Sequence, residues 1–269
     1  MRSSMNLPHH HNRREWDARV RSAARFTQPA SDEEFRNPLA AVDAAGWLGP
    51  SIAGRRVLCL AAGGGRQSAL YAAAGALVTV VDISAEMLAI DRQVAAERGL
   101  PVRTIEASMD DLSALPPAGF DVVIQPVSTC YVPDVTAVYR QVARVIRAGG
   151  VYVSQHKQPA SLQTSVDRSP RGYEIVEPYY RTGPLPQIAP SSHREAGTLE
   201  FLHRFEELLG GLCRAGFAIE DVIEPLHADE SAPPGSFAHR SRYVAPYIRI
   251  KARRTGRASA GRPTKVWSP

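Results

Sequence analysis

Residues Arg56–Ser68 read RVLCLAAGGGRQS. An apolar run ends in three consecutive glycines, and a segment with helical character follows. Glycine lets a chain turn sharply and lets a ligand approach the backbone where a Cβ would obstruct it. Gly63, Gly65 and Ser68 come close to the spacing G-x-G-x-x-G/A, a weak signal when it stands alone. The stretch therefore poses a choice between a dinucleotide, a nucleoside without a pyrophosphate, and a purely structural turn.

The surrounding pattern supports a ligand. Arg56–Ala61 is predicted as a buried strand, Gln67–Ala74 as a helix stopped by Gly75, and Leu77–Val81 as a second, valine-rich strand. Ala85–Arg98 has helical spacing and is stopped by Gly99; Val102–Glu106 and Phe120–Gln125 read as strands three and four. Val135–Ile146 repeats the helical period, and Ala148-Gly149-Gly150 leads into a fifth strand, Val151–Gln155. This alternation implies an α/β, doubly wound (Rossmann-like) sheet, which binds ligands beyond the carboxyl ends of its strands. Asp82 follows the second strand, VTVVD, where a carboxylate can accept ribose hydroxyls. Ser84 is the better N-cap for the next helix, which leaves Asp82 free.

Upstream, residues 1–30 are polar and Arg-rich and are expected to form a flexible arm or loose helix. Asp32–Leu48 suggests a helix that Pro38 would break, with Ser31 and Glu34 as a capping box. Residues 156–197 carry six prolines without periodicity and read as an insertion, or lid, on the carboxyl edge of the sheet. Thr198–Cys213 is predicted as a helix, Phe217–Ile223 as a sixth strand and Tyr247–Ala252 as a last one.

The net charge of +5 is a poor sign of nucleic-acid binding, because Lys251, Arg253, Arg254, Arg257, Arg262 and Lys265 supply six positive charges near the C-terminus without an acid. The remaining chain is close to neutral, and residues 255–269 read as a disordered basic tail. Three widely spaced cysteines suggest neither a disulfide framework nor a zinc site. No apolar run reaches the roughly 18–20 residues of a membrane span. The first residues lack the apolar core of a signal peptide, so a cytoplasmic location is expected.

Beyond these patterns, VLCLAAGGGRQSALYAAAGALVTVVDISAEMLAIDRQVA resembles the first two motifs of the class I S-adenosylmethionine-dependent methyltransferases. EASMDDLSALPPAGFDVVIQPVSTCYVPDVTAVYRQVARVIRAGGVYVSQH resembles the rest, and YIRIKARR looks like the family's last, antiparallel strand. The similarity is greatest to the small-molecule enzymes of the ubiquinone and menaquinone biosynthesis type. It implies a seven-stranded sheet, mostly parallel with an antiparallel last strand, in a methyltransferase domain over 31–254, with S-adenosyl-L-methionine as cofactor.

By the resemblance, the backbones of Ala61, Gly63 and Gly65 would line the methionine and ribose portions. Asp82 would take the ribose hydroxyls and Ile83 would pack on adenine. Ser108, or its neighbour Asp110, would accept from the adenine amino group, and the Met109 N–H would face a ring nitrogen. Gln125 would lie near the methionine moiety. The expected reaction is in-line methyl transfer to a small-molecule O, N or C nucleophile. A general base is needed only if the acceptor arrives protonated. His156, directly after the fifth strand, is favoured for that role. Tyr131 could instead pack on the sulfonium or the acceptor. Lys157, His193, His203, His227, His239 and Arg240 are further candidates, and Tyr173, Tyr179 and Tyr180 could shape a lid. QPVS follows the fourth strand in place of a base-flipping (D/S)PPY motif, which speaks against a nucleic-acid substrate. A nicotinamide-dependent dehydrogenase and a non-catalytic cofactor-binding protein remain the alternatives, since fold does not fix function.

Overall fold

The computed structural model describes residues 7–256. Seven strands, β1 (Arg56–Leu60), β2 (Leu77–Asp82), β3 (Val102–Glu106), β4 (Phe120–Gln125), β5 (Ile146–Lys157), β6 (Phe217–Ile223) and β7 (Tyr247–Arg254), form one sheet. Their order is β3-β2-β1-β4-β5-β7-β6, with β7 antiparallel to both neighbours. The first five strands are parallel, so each connection must cross a face of the sheet. Helices α3 (Gln67–Ala73), α4 (Ala85–Arg98) and α5 (Val135–Val145) make three of those crossings.

Both faces are buried, which is why β1 and β2 read as continuous apolar runs. In β1, Val57 and Cys59 pack on one side with Tyr71 of α3 and Leu88 of α4. Leu58 and Leu60 pack on the other with Val138 and Val142 of α5. Cys59 is a fully buried core residue, as expected. β5 begins earlier than predicted, at Ile146, and its pairing with β4 shifts register between Phe120 and Val122. Gly150 is confined there, because an added Cβ would come within 2.6 Å of Ile146 Cγ1.

Three segments differ from expectation. The arm read as flexible or loosely helical is a packed helix, α1 (Leu7–Arg21), with His9 and Asn12 buried. His9 bonds to Asp110 at 3.0 Å, and Asn12 bonds the backbone of Tyr131 and Leu199. Pro38 does break the next helix: Ser31 and Glu34 form their reciprocal hydrogen bonds, but over a single 3₁₀ turn (Glu34–Arg36) before the short helix α2 (Pro38–Val42). Finally, 198–204 is irregular rather than helical, and a π turn (Glu206–Gly210) precedes a last short turn of helix, Gly211–Arg214. Leu208 and Leu212 of the predicted helix are nonetheless buried in the core. The backbone of 198–204 is claimed by other partners: Phe201 N–H donates to Cys130 O, and Leu185 N–H to Glu200 O.

Glu200 explains why that segment is held. Its carboxylate is fully buried and pairs with Lys157, at the end of β5, and with Arg194. Lys157 also pairs with Glu195 at 2.6 Å, and these charges hold Lys157 protonated and Glu195 ionised. The ionic cluster ties the proline-rich segment to the sheet. Of the basic C-terminal residues, Lys251 and Arg253 pair with Glu220, and Arg254 donates to carbonyls of Ala143 and Gly216. Arg257, Arg262 and Lys265 lie outside the described residues. No helix among the described residues is long and apolar enough to cross a membrane.

Removing one member of a buried ionic cluster leaves its partners uncompensated. Lys157→Met should therefore lower unfolding free energy by about 3–5 kcal/mol, measured by urea denaturation.

Candidate active site

The glycine loop is built around two carboxylates. Gly63 N–H donates to Asp82 Oδ2 at 3.0 Å, while Gly64 N–H and Gly65 N–H donate to the two oxygens of Asp91 at 3.0 and 3.1 Å. Ser68 Oγ donates to Asp91 as well. All three glycine amides thus point at carboxylates of the protein itself. Gly64 and Gly65 take φ of +104° and +74°, which L side chains rarely adopt. A Cβ on Gly63 would come within 2.7 Å of Met87 Cβ, and one on Gly65 within 2.9 Å of Val94 Cγ2. The glycines therefore serve close packing against α4, with their N–H groups turned inward.

Asp91 went unread in the sequence. It lies on α4 among Met87, Leu88, Val94 and Ala95, all buried. A carboxylate at helical spacing within an apolar stripe was the available signal. Burial pushes its pKa up to about 6, against the hydrogen bonds from Ser68 and Gly64 that favour the ionised form. Asp82 is also raised by burial, opposed by hydrogen bonds from the backbones of Ser84 and Gly63. Ser84 caps α4 through Met87 N–H, as expected, and donates to Asp17 of α1 at 2.6 Å.

A cavity of about 720 Å³ opens beyond the carboxyl ends of β1, β2, β4 and β5. Its size falls within the range of small-molecule sites. At one end are Ala61, Gly63, Gly64, Asp82, Ile83, Met109 and Gln125. Gln125 is held by Tyr152, Ser128 and the Met109 sulfur, so its amide has a fixed orientation. Ser108 and Gly65 are not on the cavity wall. Ser108 Oγ donates to Asp110, which also holds His9, so both are tied to the first helix rather than turned to the cavity.

The other end is aromatic. His227, Phe237 and Tyr247 stand together, with ring centroids 5.4–6.2 Å apart, beside Gln155 and Arg249. Trp16, Arg25 and Phe26 line the cavity from the N-terminal side, with the Phe26 carbonyl beside Gly64 of the glycine loop.

The favoured base does not reach this cavity. His156 is buried on the opposite face of the sheet, edge-on to Tyr139, with Nδ1 bonded to Thr129 Oγ1 at 2.7 Å and Nε2 to Ser154 Oγ at 2.8 Å. Burial drives its pKa down to about 3. Side-chain alternation along β5 decides this: Gln155, one residue earlier, faces the cavity. Tyr131 does line the cavity, but its O–H donates to Glu195 at 2.8 Å, and burial holds the phenol protonated. It can pack, as the ring does against Trp16, but it does not accept a proton. His203 is bonded to Thr129 O and His239 to Tyr173. His193 stacks on Phe237, outside the cavity wall. Lys157 is locked in its ion pairs, and Arg240 donates to the carbonyls of Ser161, Thr164 and Ser165. His227 alone among the histidines lines the cavity. Its Nε2 is buried, and neither ring nitrogen has a hydrogen-bond partner among the described residues.

The inward-turned amides decide between the nucleotide readings. A dinucleotide's pyrophosphate is cradled by the free N–H groups of the glycine turn and the helix that follows. Here the three glycine N–H groups are taken by Asp82 and Asp91. The comparisons agree. A family described as a methyltransferase domain matches residues 58–154. An uncharacterized methyltransferase of Bacillus subtilis, YbaJ, is 32% identical over 82% of this chain and 91% of its own. The chain belongs to the class I S-adenosylmethionine-dependent methyltransferases.

A ubiquinone biosynthesis O-methyltransferase of Bordetella pertussis is 31% identical over 65% of this chain and 76% of its own. In structure, an S-adenosylmethionine-dependent methyltransferase from Mesorhizobium loti has a TM-score of 0.64, at 24% identity, over 82% of this chain and all of that one. The methyltransferase is accordingly an enzyme with S-adenosylmethionine as cofactor.

Asp91 gives a prediction with a definite sign. Its pKa is raised in the folded state, from the ordinary 3.8 to about 6. The native state then binds more protons than the unfolded chain between these values, so this group's contribution to stability falls as pH rises through that window. Relative to Asp91→Asn, the wild type should lose about 2 kcal/mol between pH 4 and pH 6 in denaturation series, at about 1.4 kcal/mol per fully resolved unit.

Proposed function

We propose that the methyltransferase methylates a small-molecule nucleophile held in the aromatic half of the cavity. One observation carries this reading: a single cavity runs from the glycine loop to His227, Phe237 and Tyr247, with the unpartnered imidazole at its far end. S-adenosylmethionine, when bound, supplies a sulfonium methyl that needs no further activation. The protein's task is to place the acceptor about 3–3.5 Å from that methyl with water excluded.

The near end fits a nucleoside carrying an amino-acid tail. Asp82 reaches the cavity wall, and a carboxylate that accepts two backbone N–H groups keeps lone pairs for ribose hydroxyls. Ile83 and Met109 offer apolar surface for adenine. The backbones of Ala61 and Gly63 flank the ribose, and Gln125 faces the methionine portion. Gly65 acts at one remove, by fitting the loop against α4. A Ser108 contact with the adenine amino group has no support from the cavity, whose wall does not include Ser108.

At the far end, His227 takes the place His156 was expected to hold. Burial first, then the charges of Arg249 and Arg25, depress its pKa below the usual histidine value. It is therefore neutral at pH 7, with a lone pair available. A protonated acceptor passes its proton to a His227 ring nitrogen as the nucleophile's electron pair forms the new bond to carbon. Held by Asp82 and the loop backbone, the cofactor would supply the methyl carbon and its sulfur would keep the pair of the carbon–sulfur bond. Tyr131 packs between the two halves. A cavity of small-molecule size, and C-terminal strand cations already paired to Glu220, favour a small acceptor over a nucleic acid.

Calorimetric titration with S-adenosylhomocysteine tests the near end. Asp82→Ala should weaken binding by about 10- to 100-fold, the scale of losing a charged hydrogen-bond acceptor. Denaturation in parallel accounts for the Gly63 and Ser84 amides the mutation also frees. Wild type that does not bind S-adenosylhomocysteine sinks the assignment.

The far end is tested by S-adenosylhomocysteine release with a hydroxylated acceptor. His227→Gln should lower kcat by about 10²–10⁴-fold while leaving S-adenosylhomocysteine affinity unchanged. The wild-type pH profile of kcat/KM should be flat through neutrality with a falling acid limb below pH 6.5, and that limb should vanish in His227→Gln. A limb that persists in the variant assigns the base elsewhere.

A further inference from the structure

We propose that the acceptor is a planar aromatic carboxylate: Arg249 and Arg25 receive its carboxylate, and the rings of His227, Phe237 and Tyr247 pack its body. This rests on the reading of the far end of the cavity as the acceptor site, and it names the class of molecule that site selects.

The charge distribution of the cavity leads to this class. Arg249 sits on β7 directly opposite Gln155 of β5, and its Nε and Nη2 both donate to Gln155 Oε1, at 3.1 and 2.9 Å. A neutral amide orients the guanidinium without neutralising it. Arg25 lies over the Phe26 ring, 4.6 Å from its centroid, again without a counter-charge. Among the described residues, neither arginine has a carboxylate within ion-pair distance. The other charged groups on the cavity wall are already satisfied. Glu195 is paired with Lys157, Arg66 with Glu34, and Asp43 accepts the Trp47 and Leu48 amides. Asp82 faces the opposite end. The acceptor half therefore carries two uncompensated positive charges, both felt by His227.

An anion answers that field. Guanidinium suits a carboxylate, which it binds by charge-assisted hydrogen bonds. With two donors of Arg249 already spent on Gln155, the remaining donors match a monoanion better than a phosphate dianion. The three rings, at mutual edge and tilted angles of 37–75°, form an apolar wall beside these charges. Such a wall favours a flat ring over a flexible chain. Binding of the anion also offsets the two guanidiniums beside His227, which makes the imidazole a better proton acceptor once the acceptor is in place.

The test uses the full-length protein saturated with S-adenosylhomocysteine and titrated calorimetrically with 2-naphthoate, its neutral isostere 2-naphthamide, and 2-naphthyl phosphate. The carboxylate should bind at least about tenfold more tightly than the amide, the scale of one charge-assisted hydrogen bond. Arg249→Gln should erase that preference and Arg25→Gln should reduce it, with S-adenosylhomocysteine affinity kept in both variants as the sign that the fold is intact. Equal binding of carboxylate and amide, no binding of the carboxylate to the loaded protein, or a preference that survives both substitutions overturns the inference while the methyl-transfer reading stands. Tighter binding of the phosphate than of the carboxylate replaces the class with a phosphate ester. Failure of S-adenosylhomocysteine itself to bind overturns the methyl-transfer reading, and the inference with it.

Discussion

Two buried carboxylates, Asp82 and Asp91, set the course of the glycine loop, and the site depends on that course. Each accepts backbone N–H groups from a turn that has no side chains of its own. Buried amides without partners would cost on the order of 1–3 kcal/mol each. With partners, they fix the chain where β1 passes into α3. The cost is moved to the carboxylates, whose ionised forms burial disfavours. Asp91 lies entirely within the protein, whereas Asp82 keeps one side on the cavity. A structural and a binding carboxylate thus share one loop.

The rest of the site is assembled from parts distant in the chain. α1 contributes Asn12 and Trp16, and the loop that follows contributes Arg25 and Phe26. The proline-rich segment contributes Glu195, fixed by Lys157. The late loop and β7 contribute His227, Phe237, Tyr247 and Arg249. The Lys157–Glu195–Glu200–Arg194 cluster holds the proline-rich segment against the sheet, and Tyr131 joins it to the cavity wall through Glu195. Buried ion pairs give little net stability but tolerate few alternative arrangements, because an unpaired member is expensive. That suits a segment with almost no regular hydrogen-bonded structure of its own.

The sheet was legible from residue pattern alone. Val102–Glu106, Phe120–Gln125 and Phe217–Ile223 have the predicted limits, as does the helix Ala85–Arg98 between Ser84 and Gly99. Hydrophobic period and end signals are local properties, so one sequence suffices for them. The position of Asp82 at the end of β2 follows from the same logic, because the ends of parallel strands face the ligand side; Ile83, Met109 and Gln125 were placed by the family resemblance. The helix predicted over 198–204 failed for a non-local reason. Its apolar spacing was correct, but Glu200 finds Lys157 and Arg194, and its neighbours' amides find partners outside the segment.

Sequence by itself determined the fold class, the strand and helix order, the family and the carboxylate after β2, because all of these are written in short-range periodicity and motif order. Tertiary structure alone decided which side chains meet. It sent His156 to the far face of the sheet through the two-residue alternation of β5, a parity that a one-residue change in register would reverse. It turned the glycine amides toward Asp91, twenty-six residues on from Gly65. It brought His227 and Arg249 beside Arg25, across more than two hundred residues of chain, where two guanidiniums and three rings face one cavity. No local pattern carries such a meeting, because it is fixed only when the sheet, the first helix and the last loop have all packed.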